Sequence, residues 1–260
     1  MELGLGGRRA IVTGASKGLG AAIAEELVAE GVAVAICARH GDELERAAEG
    51  LRQRGGQVFA RVADVTRAKD VVGFVAEAAE QLGGVDILVN NAGRAHPGSF
   101  ASLRDEDWQA DLDVKLFSQI RCARAALPHL RRSPGAVILN INAVYGRQPD
   151  PTFFATTVDR AACLAFSKAL AMEVAREGVR VNSVNIGFVL TPQWRTVHRL
   201  RAPDLTEAAF LEQMAAAEVP MGRFGEPAEV AGVVAFLASP RASYITGASV
   251  DVAGGMGRYV

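Results

Sequence analysis

Short apolar runs that alternate with helix-length segments constrain this chain more than any other feature. Residues 10–12, 32–38, 57–62, 85–89, 135–141, 179–184 and 248–252 are strand-like, and glycine or polar residues bound most of them. Between them, residues 21–30, 42–54, 67–82, 105–131, 154–176 and 226–237 carry helical spacing, the last with Pro227 near its start. Strands joined by helices of this length pair in parallel through right-handed crossovers, which lay helices on both faces of a sheet. No linker, repeat or low-complexity segment divides the 260 residues, and half of them are hydrophobic. One α/β domain with a large core follows. In such sheets ligands bind beyond the carboxyl ends of the strands.

The first strand runs into Thr13-Gly14-Ala15-Ser16-Lys17-Gly18-Leu19-Gly20 before its helix begins. A glycine-rich strand-to-helix turn lets backbone approach a ligand where a Cβ would clash. It also turns unpaired N–H groups and the positive end of a helix dipole toward that ligand, which suits a phosphate. Arg39, Asp64, the run Asn90-Asn91-Ala92-Gly93 and the segment after Ile141 fall at the same edge of the expected sheet.

Other classes are excluded by composition. A net charge of -1 gives no basic excess for nucleic acid. No apolar run is long enough to span a bilayer, and the first residues lack a signal-peptide pattern. Cys37, Cys122 and Cys163 are scattered, odd in number and set among apolar residues, as expected of reduced thiols in a cytoplasmic protein. No Cys/His cluster has the spacing of a metal site. Residues 191–220 break the strand–helix rhythm with Trp194, His198, several arginines and an amphipathic stretch over 206–217. An insertion before the last strand that overhangs the ligand edge reads as a substrate lid. The tail over 253–260 reads as a subunit contact.

Together these pieces resemble the short-chain dehydrogenase/reductase family over nearly the whole chain. The resemblance rests on the glycine turn, Asp64-Val65, Asn90 to Gly93, Arg180-Val181-Asn182, Gly222-Arg223-Phe224-Gly225 and the stretch from Ile245 through Asp251 to Gly255. It implies a Rossmann-type, doubly wound, seven-stranded parallel sheet in one domain, a nicotinamide dinucleotide cofactor, a small-molecule substrate, and a homo-oligomer, tetramer or dimer. Gly14, Gly18, Leu19 and Gly20 would then line the pyrophosphate, and Asp64 and Val65 the adenine. Asn91, Ala92 and Gly93 would border the ribose and nicotinamide. Gly187, Val189 and Thr191 would approach the carboxamide, although Ile186 stands where the family usually has Pro.

Cofactor choice has a separate physical argument. An acid closing the second strand binds a ribose 2′-hydroxyl and repels a 2′-phosphate. Here that place holds Ala38, followed by Arg39, with Ser16 and Lys17 in the neighbouring turn. Arg39 and Lys17 could clamp a phosphate, Arg39 with a bidentate fork. NADP(H) is therefore expected in preference to NAD(H).

All four positions of the family's catalytic set differ. The resemblance aligns Lys115 with the family's Asn, Ala143 with its Ser, Thr156 with its Tyr and Arg160 with its Lys. An aliphatic hydroxyl is far weaker as an acid than a phenol, and Ala143 offers no hydrogen bond. Loss of a general acid removes about 10²–10⁴ of rate. Arg160 keeps positive charge near the nicotinamide ribose but hardly deprotonates. Thr156 and Arg160 share one helix face and both should point at the cleft. Tyr145, in the loop after Ala143, is the nearest substitute phenol, or else a packed aromatic. Lys115 is either a catalytic cation or the partner of Asp111, Asp113 or Asp159. His96, Asn142, Ala143, Tyr145 and Trp194 are candidate substrate contacts.

The leading expectation is an NADP(H)-dependent oxidoreductase with a rebuilt catalytic site. Lys115 and Arg160 would stabilise a developing oxyanion on the carbonyl or enone of a mostly apolar small molecule. The alternatives are an inactive nucleotide-binding homologue, as sensor or subunit, and a non-redox lyase or isomerase in the same cleft.

Overall fold

The computed structural model describes residues 2–259. Seven parallel strands are ordered β3-β2-β1-β4-β5-β6-β7. They are β1 (Arg9–Thr13), β2 (Ala33–Ala38), β3 (Val58–Val62), β4 (Ile87–Asn90), β5 (Val137–Ala143), β6 (Arg180–Ile186) and β7 (Ser249–Val252). The pleat sorts side chains by alternation. Ala10, Val12, Ile87, Val89, Val137 and Leu139 face one helix layer, whereas Ile11, Leu88 and Ile138 face the other. The first layer holds α1 (Gly18–Ala29), α2 (Gly41–Gln53) and α9 (Pro227–Ala238); the second holds α3 (Ala68–Leu82), α5 (Ser118–Leu130) and α6 (Phe154–Val174). Strands buried on both faces are apolar without interruption, which is why their sequence runs are continuous.

The order reverses between β1 and β4, where the crossovers depart in opposite directions and leave a crevice. Thr13 Oγ1 stitches that switch point, accepting from the N–H groups of Asn91 and Ala92, each at 3.1 Å. Asn91 Nδ2 donates back to the carbonyls of Thr13 (2.9 Å) and Gly14 (3.1 Å).

The expected helix over 105–131 is interrupted. α4 (Asp105–Leu112) gives way to a π-helical segment, Asp113–Phe117, before α5 resumes. A π turn adds a residue to the helical repeat and shifts which side chains face inward, and such turns recur at functional sites. Here it carries Lys115 into the interior with no exposed surface. A residue period of 3.6 does not reveal this.

Residues after β6 form α7 (Gln193–Arg201) and α8 (Glu207–Glu218) at the carboxyl edge of the sheet. An aromatic cluster holds them: Phe188 lies 4.7 Å from Trp194 and 5.3 Å from Phe224, between ring centroids. His198 Nε2 bonds the Leu205 carbonyl at 2.8 Å and its ring packs on Phe210, tying α7 to α8. The tail folds back on its own chain. Met256 is buried, Arg258 N–H donates to Gln148 at 2.7 Å, and Tyr259 stacks under Arg147. Val260 lies outside the described residues.

No helix among the described residues is long and apolar enough to cross a membrane. Cys37, Cys122 and Cys163 are free and buried, and the described residues hold no cluster suited to a metal. Burial pushes the Cys37 thiol up to about 12 and the Cys163 thiol up to about 11, so both stay protonated.

Candidate active site

A cleft of about 660 Å³ follows the carboxyl edge from α2 across the switch point to α7. Its floor is the glycine turn. Gly14 has φ +66°, a conformation that disfavours side chains, and a Cβ there would come within 2.9 Å of Ala92 Cα. A Cβ on Gly20 would overlap the Gly14 carbonyl and the Asn91 amide. Helix α1 starts with no side-chain cap and no acid in its first turn, so its leading N–H groups are left for an anion. Gly14, Ser16, Lys17, Gly18, Leu19 and Gly20 all line the cleft.

At one end, Asp64 and Val65 line the wall with Arg39. Burial alone would raise the Asp64 carboxyl. The Thr66 N–H and O–H at 2.9 and 2.8 Å, with the Arg39 and Arg67 charges, outweigh burial and hold it below its ordinary value. Lys17 forms a 2.9 Å ion pair with Glu43. Glu43 and His40 also border this end, and the sequence reading passed over both. They follow Arg39 closely, so the loop after β2 was the place to find them.

At the other end, Asn91, Ala92, Gly93, Gly187 and Thr191 line the wall, and no described group bonds the buried Thr191 Oγ1. Val189 departs from expectation. Its side chain is buried in the core, and its carbonyl accepts the Trp194 indole N–H at 2.9 Å, so it lies outside the lining. The glycine cradle and the unpartnered Thr191 hydroxyl fit a dinucleotide lying across the switch point.

Thr156 and Arg160 share one face of α6 and both line the cleft, as their spacing implies. Arg160 donates through Nη1 to the Ile141 carbonyl at 2.8 Å and to Asn142 Oδ1 at 3.3 Å, and Gly93 leaves room for Nη2. Lys115 does not line the cleft. It sits one hydrogen bond behind it, its ammonium donating to Thr156 Oγ1 at 2.6 Å and to Asp111. Asp113, another expected partner, turns instead to Arg121 at 2.8 Å. An ammonium has only donors, so the Thr156 oxygen must accept and its own O–H is free to point into the cleft. Burial, aided by the Arg160 charge, outweighs the pull of Asp111 and pushes the Lys115 ammonium down to about 8.

The expected substrate contacts divide. Ala143 and Tyr145 line the cleft. Tyr145 stacks on Phe153 at 5.2 Å, and burial, with the Asp150 and Glu218 charges, raises its phenol well above the ordinary value. A raised phenol is a worse proton donor than a free one, and the stacked ring gives Tyr145 a packing role as well. Asn142 also borders the cleft but is wholly buried, its amide already bonded to Arg160 and to Ser183 at 3.2 Å. His96 is absent from the lining and sits 3.5 Å from Asp111, behind the cleft. Trp194 borders the cleft with its N–H already committed to Val189; its main role is the aromatic cluster. Gln193, which accepts the Ala95 N–H at 3.2 Å, and Met256, which lines the far wall, were missed; neither carries a local sequence signal.

The fold and the cleft define a doubly wound α/β protein with a glycine-floored cleft at its switch point, of a shape that fits a dinucleotide. Comparison with known proteins narrows the class. Residues 14–257 match the family described as enoyl-(acyl carrier protein) reductase. A putative ketoacyl reductase of Streptomyces coelicolor is 36% identical over 255 residues, 96% of this chain and 97% of the relative. Among solved structures, a short-chain oxidoreductase of Pseudomonas aeruginosa described as containing an atypical catalytic center, with NADPH bound, is 41% identical. It covers 97% of this chain and 98% of its own, at a TM-score of 0.91. L-sorbose reductase of Gluconobacter frateurii, complexed with NADPH and L-sorbose, is 34% identical over all of both chains, at a TM-score of 0.96. The chain belongs to the short-chain dehydrogenase/reductase family.

Proposed function

We propose that this protein is an NADP(H)-dependent oxidoreductase that reduces the carbonyl or enone of a mostly apolar small molecule through a rebuilt proton-donating group. The carrying observation is the chain of Lys115 ammonium, Thr156 hydroxyl and cleft beside an intact dinucleotide cradle. The NADPH-bound relatives and the ketoacyl reductases named above support the cofactor and the carbonyl chemistry. When bound, a nicotinamide dinucleotide supplies or accepts the hydride. Everything else falls to this chain's residues.

The N–H groups from Gly14 to Gly20 hold the diphosphate, with Ser16 beside them. Asp64 and Val65 hold the adenine, and Arg39 and Lys17 the 2′-phosphate. Glu43 would repel that phosphate by itself, and its ion pair with Lys17 cancels the repulsion. Gly93, Arg160, Gly187 and Thr191 surround the nicotinamide ribose and ring. Thr156 is too weak an acid to ionise at neutral pH. It need not ionise, because its oxygen takes the Lys115 proton as its own proton leaves for the substrate oxygen. Arg160, positively charged at any working pH, stabilises the charge that develops on that oxygen. α7 and α8 act as the lid over residues 191–220. Exposed Phe100, Val158 and Met172 support a homo-oligomer, dimer or tetramer, which light scattering would measure.

Fluorescence titration and NADPH absorbance against a carbonyl panel test the reading. The protein should bind NADPH more tightly than NADH and oxidise NADPH with at least one ketone or enone. Arg39→Asp should weaken NADPH about 10–150-fold, the worth of charged hydrogen bonds of about 1.5–3 kcal/mol, and NADH little. Tight NADPH binding with no turnover would instead make this a nucleotide-binding homologue, and equal effects of Arg39→Asp on both cofactors would remove the phosphate clamp.

A further inference from the structure

Behind Thr156 lies a group of buried charges that the cleft alone does not explain. The end of α4 contributes Asp111, the π segment Lys115, α6 Asp159, Arg160 and Cys163, and the loop after β4 His96. Asp111, Lys115 and Asp159 have no exposed surface. Lys115 bonds one oxygen of Asp111; the other oxygen faces His96 Nδ1 at 3.5 Å. Neither oxygen of Asp159 is reached by a donor among the described residues, and Arg160 turns its guanidinium to Ile141 and Asn142 instead. One oxygen of Asp111 likewise finds no hydrogen-bond donor, and burial together with the neighbouring Asp111 raises the Asp159 carboxyl. Two carboxyls that meet out of water resist ionising together, and the Lys115 and Arg160 charges offset this only in part, so one keeps its proton and donates it to the other. His96 joins this interior to solvent on the side away from the cleft, its side chain 22% exposed. The Cys163 thiol, raised by burial, stays neutral and takes no part.

We infer that Asp111 and Asp159 share one stored proton, and that His96, this pair, Lys115 and Thr156 form a relay from solvent to the cleft. The inference rests on the carbonyl-reduction reading and says where its proton comes from. In that reaction the carbonyl carbon takes a hydride from a reduced nicotinamide, and its π pair moves onto oxygen. That oxygen forms its O–H bond with the Thr156 proton. Thr156 Oγ1 regains a proton from Lys115 Nζ, Nζ from the carboxyl pair, and the pair from water through His96. The sum is one hydride and one proton added across C=O, with every relay group returned to its starting state. The relay also explains why Lys115, with two carboxyls for company, is worth burying. Asp111, Asp159 and His96 touch no substrate; they are positioning residues that act through Lys115.

Two measurements test it. Infrared titration of the protein without cofactor should show one protonated carboxyl persisting far above the ordinary aspartate range, losing its proton near pH 7, where burial and Asp111 push the Asp159 carboxyl up to about 7. Asp159→Asn should remove that band. His96→Ala, on a part-exposed loop, should lower kcat about tenfold or more with KM unchanged, and imidazole in the buffer should restore it, as expected when a proton-transferring group is lost. Absence of the band in the wild-type protein overturns the shared proton. Unchanged kcat in His96→Ala, or a loss that imidazole does not restore, overturns the relay while leaving the reductase reading intact. A wild-type protein that reduces no carbonyl sinks that reading and the relay with it, and the infrared band then decides the shared proton alone.

Discussion

Replacing Lys115 with Met isolates the energetics of the buried charge group. The substitution keeps an unbranched side chain of similar length, so packing changes little. It removes the cation between Asp111 and Thr156, both almost wholly enclosed. Removing one partner of a buried pair costs about 3–5 kcal/mol, because the other is left charged and uncompensated. Whole domains are stable by only about 5–15 kcal/mol. At roughly 2–4 °C per kcal/mol for a chain of this size, the midpoint should fall by about 6–20 °C. The deficit should depend on pH. Without the ammonium, the folded pKa of the carboxyl pair rises further above its unfolded value of about 3.9. Stability tied to a raised pKa is fully present below the unfolded value and is lost as pH rises through the folded one. Urea unfolding followed by circular dichroism should therefore show a gap from wild type that widens as pH rises from about 7 to 8, where the wild-type pair has lost its proton and the variant's has not. The double variant Lys115→Met with Asp111→Leu should recover most of the loss, since an apolar pair of similar volume often matches a buried ion pair. A single variant within about 0.5 kcal/mol of wild type at pH 7, the range of an ordinary surface change, would refute the reasoning.

Three further perturbations probe other parts of the site. Gly20→Ala drives a Cβ into the Gly14 carbonyl and the Asn91 amide; it should cost about 1–3 kcal/mol and abolish the calorimetric signal of NADPH binding. Phe188→Ala empties the centre of the aromatic cluster, where Phe188 is 5% exposed; a loss of about 3–5 kcal/mol should come with faster proteolysis within residues 191–220. Asp86 is more acidic than an ordinary aspartate. Its burial is outweighed by hydrogen bonds from the Arg9 side chain, Ser133 and the Arg9 N–H. Because its folded pKa is depressed, its stability is present above the unfolded pKa and lost as pH falls through the folded one. Asp86→Asn should cost about 1.5–3 kcal/mol at neutral pH, the worth of charged hydrogen bonds, and the gap from wild type should close in acid.

Much of the framework was legible from residue order. Strand and helix alternation, the glycine turn and the shared face of Thr156 and Arg160 are short-range properties, and the structure carries each of them. Strand ends moved by a residue or two; β6, expected over 179–184, runs to Ile186 because it pairs with β7 as far as Val252. The helix over 105–131 was the largest error in local structure, because a π turn leaves no mark on hydrophobic spacing.

Residue roles at the site were less legible. Tyr145 and Asn142 sit in the right loop, yet a stacking partner from residue 153 and bonds to Arg160 and Ser183 decide what they do. His96 was placed beside the substrate on the strength of its loop; the fold sets it against Asp111 instead.

What the sequence by itself determined is the scaffold: which segments are strands and where the backbone turns without side chains. These follow from periodicity and residue identity within a few positions of one another. Only the tertiary structure decided that Lys115 stands behind Thr156 rather than in the cleft, and that Asp111 and Asp159 meet. The physical reason is that a buried charge takes its meaning from its partners and from the exclusion of water. Both are set by elements far apart in the chain and brought together only when the sheet and its helices close.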